Sequence, residues 1–506
     1  MNLAKISENR VIEQGERVTL IYEGREITNT EMLSKSKRLA TALKNFGVTR
    51  GDRVILQMPN CPEVLQAFGA AWRIGAAIVP INWLVGDEET AYIYRDSGAK
   101  VIISSRMFLP KINAARAQAP GVETVILTEN DVPDGIASYS NLIEKNPEHH
   151  ATADTSDDDI AALIYTAGTT GRPKGVVHTQ YSLYANAKMQ YETIPLPDGM
   201  VTISILPLCH SFGIATMNNG LFRTGKMVLL NSFDLDTIFS AIEKHQGQIM
   251  AGVPTMYVYM LLHPDPMRYN LSSMQYWISG SAPLSLETWR RFKEVFGFEI
   301  IEGWGLTEAG ANNSVNPFWG RKKVGSIGLP MKGTEMGIMD DLGEMVPPGE
   351  KGEIVIRGPM LMQGYWKKPE ETAETLRDGW LHTEDVGYMD EDGYYWITDR
   401  KKDLIIKGGE NISPRTIEDV LFSHPKISEA AVIAIPDEIY GEDIKAFVVL
   451  NPGEAAVQPE EIIEYCYAKL GDFFSPKQVA FLAALPKSLV GKVLKKELRK
   501  SLSPGK

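Results

Sequence analysis

The sequence predicts a layered α/β protein, with a large N-terminal domain of sheets packed with helices and a small C-terminal α+β domain. Short apolar strands alternate with helices near the start in a βαβ rhythm that implies parallel sheet. A charged stretch, Asp399-Arg400-Lys401-Lys402-Asp403, precedes shorter strand and helix pieces, which places the division at 1–399 and 400–506. The length of 506 residues, more than one hydrophobic core usually organises, agrees with two units.

In chain order, Val18–Tyr22 and Arg25–Ile27 flank Glu23-Gly24 and read as a hairpin. Thr28 and Glu31 have capping-box spacing, Met32, Leu39, Leu43 and Phe46 recur at helical spacing, and Gly47 supplies the stop. Val54–Leu56 reads as a buried strand, Pro62–Ile74 as a helix, and Ala77–Val79 as the next strand. The polar run 146–159 is a surface connection ahead of the strand Ala161–Tyr165. Beyond residue 400, Ala431–Ile435 reads as a strand and Glu460–Leu470 as a helix.

Hydrophobic residues make up 44% and charged residues 23% of the chain, values of an ordinary globular protein. The 52 basic against 64 acidic side chains leave a net charge of -12, which argues against general affinity for nucleic acid. Cys61, Cys209 and Cys466 have neither disulfide nor zinc-site spacing, and the first residues have no unbroken apolar run, so a reducing, cytoplasmic setting is expected. The longest charge-free stretch, 201–222, holds Pro207, His210, Asn218 and Asn219 and is expected inside the protein, not across a membrane.

The most informative string is Tyr165-Thr166-Ala167-Gly168-Thr169-Thr170-Gly171-Arg172-Pro173-Lys174-Gly175, directly after an apolar strand. Its glycines let backbone N–H groups turn toward an anion, its threonines add donors, and Lys174 adds a point charge suited to phosphate. The spacing is not that of a P-loop.

That string resembles the phosphate-binding signature of the adenylate-forming superfamily, which comprises acyl-CoA synthetases, luciferases and peptide-synthetase adenylation domains. Gly303-Trp304-Gly305-Leu306-Thr307-Glu308, Leu381–Asp385, Asp399–Asp403 and Pro486–Lys492 resemble its later motifs in the same order. The resemblance implies an AMP-forming acid:CoA ligase. A carboxylate and ATP would give an acyl-adenylate and pyrophosphate; coenzyme A would then take the acyl group and release AMP. Magnesium would accompany ATP, and the reaction would be reversible in principle.

Thr166, Gly168, Thr169, Thr170, Gly171 and Lys174 would hold phosphates. Gly280, Ser281, Ala282, Pro283, Glu302, Gly303, Trp304, Gly305 and Ile397 would surround the nucleotide, with Asp385 and Arg400 at the ribose. Glu308 would ligate the metal, Thr307 bond the α-phosphate, and Lys492 neutralise charge at the breaking bond. Lys402 would be the hinge, while Lys407, Gly408 and Gly409 would meet the pantetheine chain. His210, Phe212, Met256, Tyr257, Leu306 and Ala309 would enclose the acid. No acidic residue in 209–213 recognises an ammonium group, and the small residues 309–311 favour an aromatic, alicyclic or medium-chain acid over acetate. The resemblance also covers two rival readings, loading of a separate carrier protein and a luciferase-like oxygenase, and it leaves open a homodimer.

Overall fold

The computed structural model describes residues 1–166, 172–454, 457–488 and 491–502, and counts refer to these residues. The early hairpin forms as the spacing predicts, with Val18–Tyr22 antiparallel to Arg25–Thr28. Thr28 caps the Asn29–Asn45 helix by accepting from the Glu31 N–H. The expected capping box is one-sided, because Glu31 turns its carboxylate to Arg25 and Lys35; a full ion pair outcompetes the bond back to the cap. A two-sided box does occur later, between Thr179 and Ser182 at the head of the Gln180–Thr193 helix.

Two sheets organise the large domain. In the eight-stranded sheet, Arg53–Gln57 lies parallel to Ala77–Pro80 and to Val101–Ser104, as expected from the βαβ rhythm. One end of this sheet turns antiparallel where Ile160–Thr166 pairs with Lys174–Thr179. That hairpin carries the Gly/Thr string at its tip. In the nine-stranded sheet, the strands Ile300–Trp304, Tyr276–Ser279, Ile249–Gly252, Met200–Ser204, Gly225–Leu229 and Val18–Tyr22 lie side by side, all parallel.

A five-stranded antiparallel sheet follows and ends with Tyr395–Arg400 paired to Trp380–Met389. After a single turn at Lys401–Asp403, Ile405–Lys407 joins a separate sheet around Ile427–Asp437 and Gly441–Leu450. This last sheet has its own core, with Ile405, Ile417, Val432, Ile444, Val448 and Ile462 fully buried. No described helix is long and apolar enough to cross a membrane. The charge-free stretch instead folds into the Met200–Ser204 strand and the Ser211–Asn218 helix.

Candidate active site

The predicted motifs converge on one cavity of about 1660 Å³, larger than a single small-molecule pocket needs. Thr166 and Lys174 face each other at the open end of their hairpin. Gly168, Thr169, Thr170 and Gly171 lie outside the described residues. Lys174 places its ammonium 4.9 Å above the Tyr365 ring, and the Tyr365 hydroxyl donates to Glu308 at 3.0 Å. Tyr365 therefore ties the phosphate-type lysine to the metal-type carboxylate. Burial and the Glu308 charge push its phenol well above the usual range.

Thr307 is fixed from two sides. Its hydroxyl lies 2.9 Å from that of Ser211, and its carbonyl accepts from His178 Nε2 at 2.6 Å. Burial lowers His178 to about 4, so the ring is neutral and its single N–H belongs on Nε2. Its Nδ1 is then the acceptor for the Ser182 hydroxyl at 3.1 Å. His178 and Tyr365 were not singled out from the sequence. The available signal was their place beside the motifs, His178 four residues past Lys174 and Tyr365 directly after Gly364.

Asp385 is 3% exposed and already held by two donors, Arg400 Nε at 2.6 Å and Trp304 Nε1 at 3.0 Å. Each of its oxygens keeps a lone pair for a further donor such as a hydroxyl. Gly280, Ser281, Ala282, Pro283, Gly303, Gly305 and Ile397 share the surrounding wall. Gly305 has a packing reason to be glycine, since a Cβ would overlap the Ala311 carbonyl. Ser281, Ala311 and Glu384 adopt left-handed backbone on this wall, a conformation that costs of order 1 kcal/mol each and concentrates at functional sites. Glu302 is buried here, and desolvation raises its carboxyl to about 7.

Lys492 enters this wall from the small domain. Ser488 N–H donates to the Lys492 carbonyl at 2.8 Å, and Thr255 donates to the Gly491 carbonyl at 3.1 Å, docking the turn on the large domain. Gly491 has φ +71°, and a Cβ there would approach Val253 at 3.1 Å and Thr255 at 3.2 Å. Lys492 is solvent-accessible through the cavity that it lines. The Arg400 charge, and then burial, lower its ammonium to about 8. His210 sits nearby and is lowered to about 4 by burial and by the Lys492 charge. Because its Nδ1 accepts from the Phe212 N–H at 3.3 Å, the remaining N–H is on Nε2, available to the cavity.

Three acid-pocket residues are corrected. On the Pro254–Leu261 helix it is Pro254, Thr255 and Val258 that line the cavity, whereas Met256 and Tyr257 point one-third of a turn away into the core. Tyr257 is fully buried and donates to the Ile278 carbonyl at 2.5 Å. Ala309 is also fully buried, and its carbonyl accepts from Asn313 at 2.9 Å; Leu306, Ala311 and Asn312 form the wall in its place. Phe212 and His210 do line the cavity.

Lys407, Gly408 and Gly409 do not reach it. Lys407 is buried in an ion pair with Asp443 at 2.7 Å, and the two glycines form a left-handed turn outside the cavity lining. Lys402 is paired with Glu384 at 2.9 Å across the junction between the two domains.

Residues 7–366 match the model of the AMP-binding enzyme family, and residues 416–492 match its C-terminal domain. The chain belongs to this family. It is similar to a long-chain-fatty-acid–CoA ligase of Bacillus subtilis, with 36% identity covering 96% of this chain and 91% of the relative. The crystal structure of the anthranilate CoA ligase AuaEII with anthranoyl-AMP superposes with a TM-score of 0.93 at 30% identity, covering 99% and 97% of the two chains. ATP-bound MatB of Rhodopseudomonas palustris gives 0.91 at 31% identity, with 99% of each chain covered. Apo MatB, of the same identity and coverage, gives only 0.79. The enzyme is an AMP-forming acid:CoA ligase that uses ATP and coenzyme A.

Proposed function

We propose that this ligase activates a long-chain carboxylic acid whose tail lies across the nine-stranded sheet. The observation that carries this reading is the alternation of side chains on five neighbouring strands. On one face Trp277, Met250, Ile203, Val228 and Ile21 pair in register and are 0 to 4% exposed. On the other face Ile278 is paired with Ala251, and Thr202 is paired with Met227, which neighbours Leu20; all five line the cavity. One face is packed; the other is open at Ile278, Ala251, Thr202 and Met227, which are only partly buried, and closes at the buried Leu20.

From Gly303 to Leu20 this floor spans six strands, about 24 Å at the usual spacing of roughly 4.8 Å. With C–C bonds of about 1.5 Å and tetrahedral angles, that length holds an extended chain of up to roughly twenty carbons, so chains of about sixteen to eighteen carbons fit within it. Phe212, Thr216 and Met217 on the Ser211–Asn218 helix roof it. This favours a longer acid than the small residues 309–311 suggest, because the tail runs over the sheet and not past Ala309.

In the first step an acid oxygen attacks the α-phosphorus of ATP and the bond to pyrophosphate breaks. Lys492, Lys174 and the Thr307 hydroxyl neutralise and bond the charge that spreads over the phosphoryl oxygens. His210 is neutral at physiological pH, so its Nε2–H donates to the substrate carboxylate without transferring a proton. Asp385 takes the ribose hydroxyls, held by Arg400 and Trp304. Glu308 suits Mg²⁺, which usually takes one or two protein carboxylates with phosphate and water oxygens; the ion would draw negative charge from the triphosphate.

The second step needs Lys492 withdrawn, so the small domain, residues 400–506, turns about Lys402. That motion breaks the Lys402–Glu384 pair and brings Gly408 and Gly409 to the pantetheine chain, with the CoA sulfur displacing AMP at the acyl carbonyl. Lys407 keeps its bond to Asp443 and supports that turn from beneath. We place the enzyme in the cytoplasm, where ATP and CoA are abundant and its three unpaired cysteines stay reduced.

The test is CoA-dependent AMP release across saturated acids of two to twenty carbons together with benzoic and anthranilic acids. The expected kcat/KM peaks near sixteen carbons. A maximum at acids of eight carbons or fewer, or at the aromatic acids, overturns the long-chain reading while leaving the ligase chemistry intact.

A further inference from the structure

Resting on that reading of the channel, we propose that its far end binds a second negatively charged, oxygen-rich group, the ω-carboxylate of an α,ω-dicarboxylic acid. The N-terminal helix Leu3–Gln14 closes this end. Ser7, Val11 and Gln14 recur on one face of that helix and border the cavity, while Leu3 and Ala4 at its start pack into the core. Only Leu3, Ala4 and Glu8 of the helix are buried.

Arginine and amide donors are concentrated there, beside one unpartnered acceptor, Asn219 Oδ1. Arg10, Gln14, Arg17 and Arg223 line this end, and no Asp or Glu does. Arg223 is committed, since it donates to the carbonyls of Leu196, Tyr191 and Ile194. The others are not. Arg10 Nε, Gln14 Nε2 and Arg17 Nε are buried without an acceptor, and the Arg17 guanidinium makes no side-chain hydrogen bond or ion pair among the described residues.

Buried polar groups are nearly always satisfied, and a cluster of unsatisfied donors points to an acceptor supplied from outside the chain. Burial, and then the neighbouring Arg10 charge, lower the Arg17 guanidinium; the Asp198 charge opposes this, and a further anion would oppose it more. A terminal carboxylate supplies two acceptor oxygens and a second negative charge to a group of three arginines, and a guanidinium is suited to binding both oxygens at once. A methyl terminus would leave the same donors unpaired. Sites of this kind discriminate strongly against the analogue that lacks the polar group.

The experiment compares hexadecanedioic with hexadecanoic acid in the full-length enzyme, measuring kcat/KM for CoA-dependent AMP release and the Tm of each variant. The wild type is expected to favour the diacid at least tenfold. Arg17→Gln is expected to abolish that preference while changing the monoacid less than twofold, and Arg17→Lys to retain part of it. Equal use of the two acids by the wild type, or an equal loss on both in Arg17→Gln, overturns the proposal. Inorganic phosphate is added in a parallel series with the monoacid. If it stimulates the wild type but not Arg17→Gln, the site belongs to a separate anion and the ω-carboxylate assignment falls. Failure to turn over either sixteen-carbon acid, with activity on short acids preserved, overturns the channel reading itself.

Discussion

The two ends of the cavity are built in opposite ways. At the nucleotide end the charged side chains are already engaged with one another, Asp385 between Arg400 and Trp304, Glu308 with Tyr365, and Tyr365 under Lys174. At the acyl end the floor is a row of mostly apolar side chains from separate strands, and beyond it Arg17 Nε and Gln14 Nε2 are unpaired. The first end is organised before substrate arrives, whereas the second is completed by the substrate. On the proposed reading that contrast separates rate from selectivity: pre-set charges at the phosphate would lower the barrier, and the open face of the sheet would set which acid enters.

Removing Lys492 tests the rate side most severely. Lys492→Ala is expected to slow pyrophosphate release on the order of 10³-fold, because one preorganised cation at a phosphoryl transition state contributes about that much. Thioester formation from a supplied acyl-adenylate should stay within about threefold. An equal loss in both steps would break the assignment of separate arrangements to them. On the selectivity side, Ala251→Phe puts a ring on the channel floor and should lower kcat/KM for a sixteen-carbon acid by roughly 10²-fold while leaving AMP affinity unchanged. If short and long acids suffer alike, the tail does not pass Ala251.

The pH profile sharpens the comparison further. Lys492 is a cation whose folded value is depressed to about 8, so it is charged below that pH and neutral above it. In the free enzyme kcat/KM for adenylation should therefore fall about tenfold per unit above pH 8. The limb should disappear in Lys492→Arg, whose guanidinium stays charged. Bound triphosphate adds negative charge beside the ammonium and should move the corresponding limb of kcat to higher pH. The smallest effect is expected at Tyr257→Phe, which deletes the bond to the Ile278 carbonyl. Stability should drop by about 1 kcal/mol, read as a fall in Tm, with acid preference unchanged. A shift in acid preference would return Tyr257 to the pocket wall.

Contiguous motifs made the nucleotide end legible in the amino-acid order. Trp304, Thr307 and Glu308 fall within five residues on one strand and its exit turn, and Asp385 and Arg400 pair across adjacent strands. Short segments of fixed chemistry keep their meaning because the local backbone alone sets which groups stand together. The helix at Pro254–Leu261 shows the limit. Its residue numbers were found, but which face meets the cavity was not, since a shift of one residue turns a helical side chain by about 100°. Met256 and Tyr257 consequently went to the core.

Chain order by itself determined the α/β layering, the run of phosphate, nucleotide and lysine motifs, and the change of element size after residue 400. Tertiary structure alone decided that Lys492 is docked against the large domain, that Lys407 is spent on Asp443, and that one face of the nine-stranded sheet borders the cavity. The physical reason is range. A motif is set by neighbours a few residues apart, whereas the channel floor takes one or two residues from each of several strands, from Leu20 to Ile278, and exists only once those strands lie side by side.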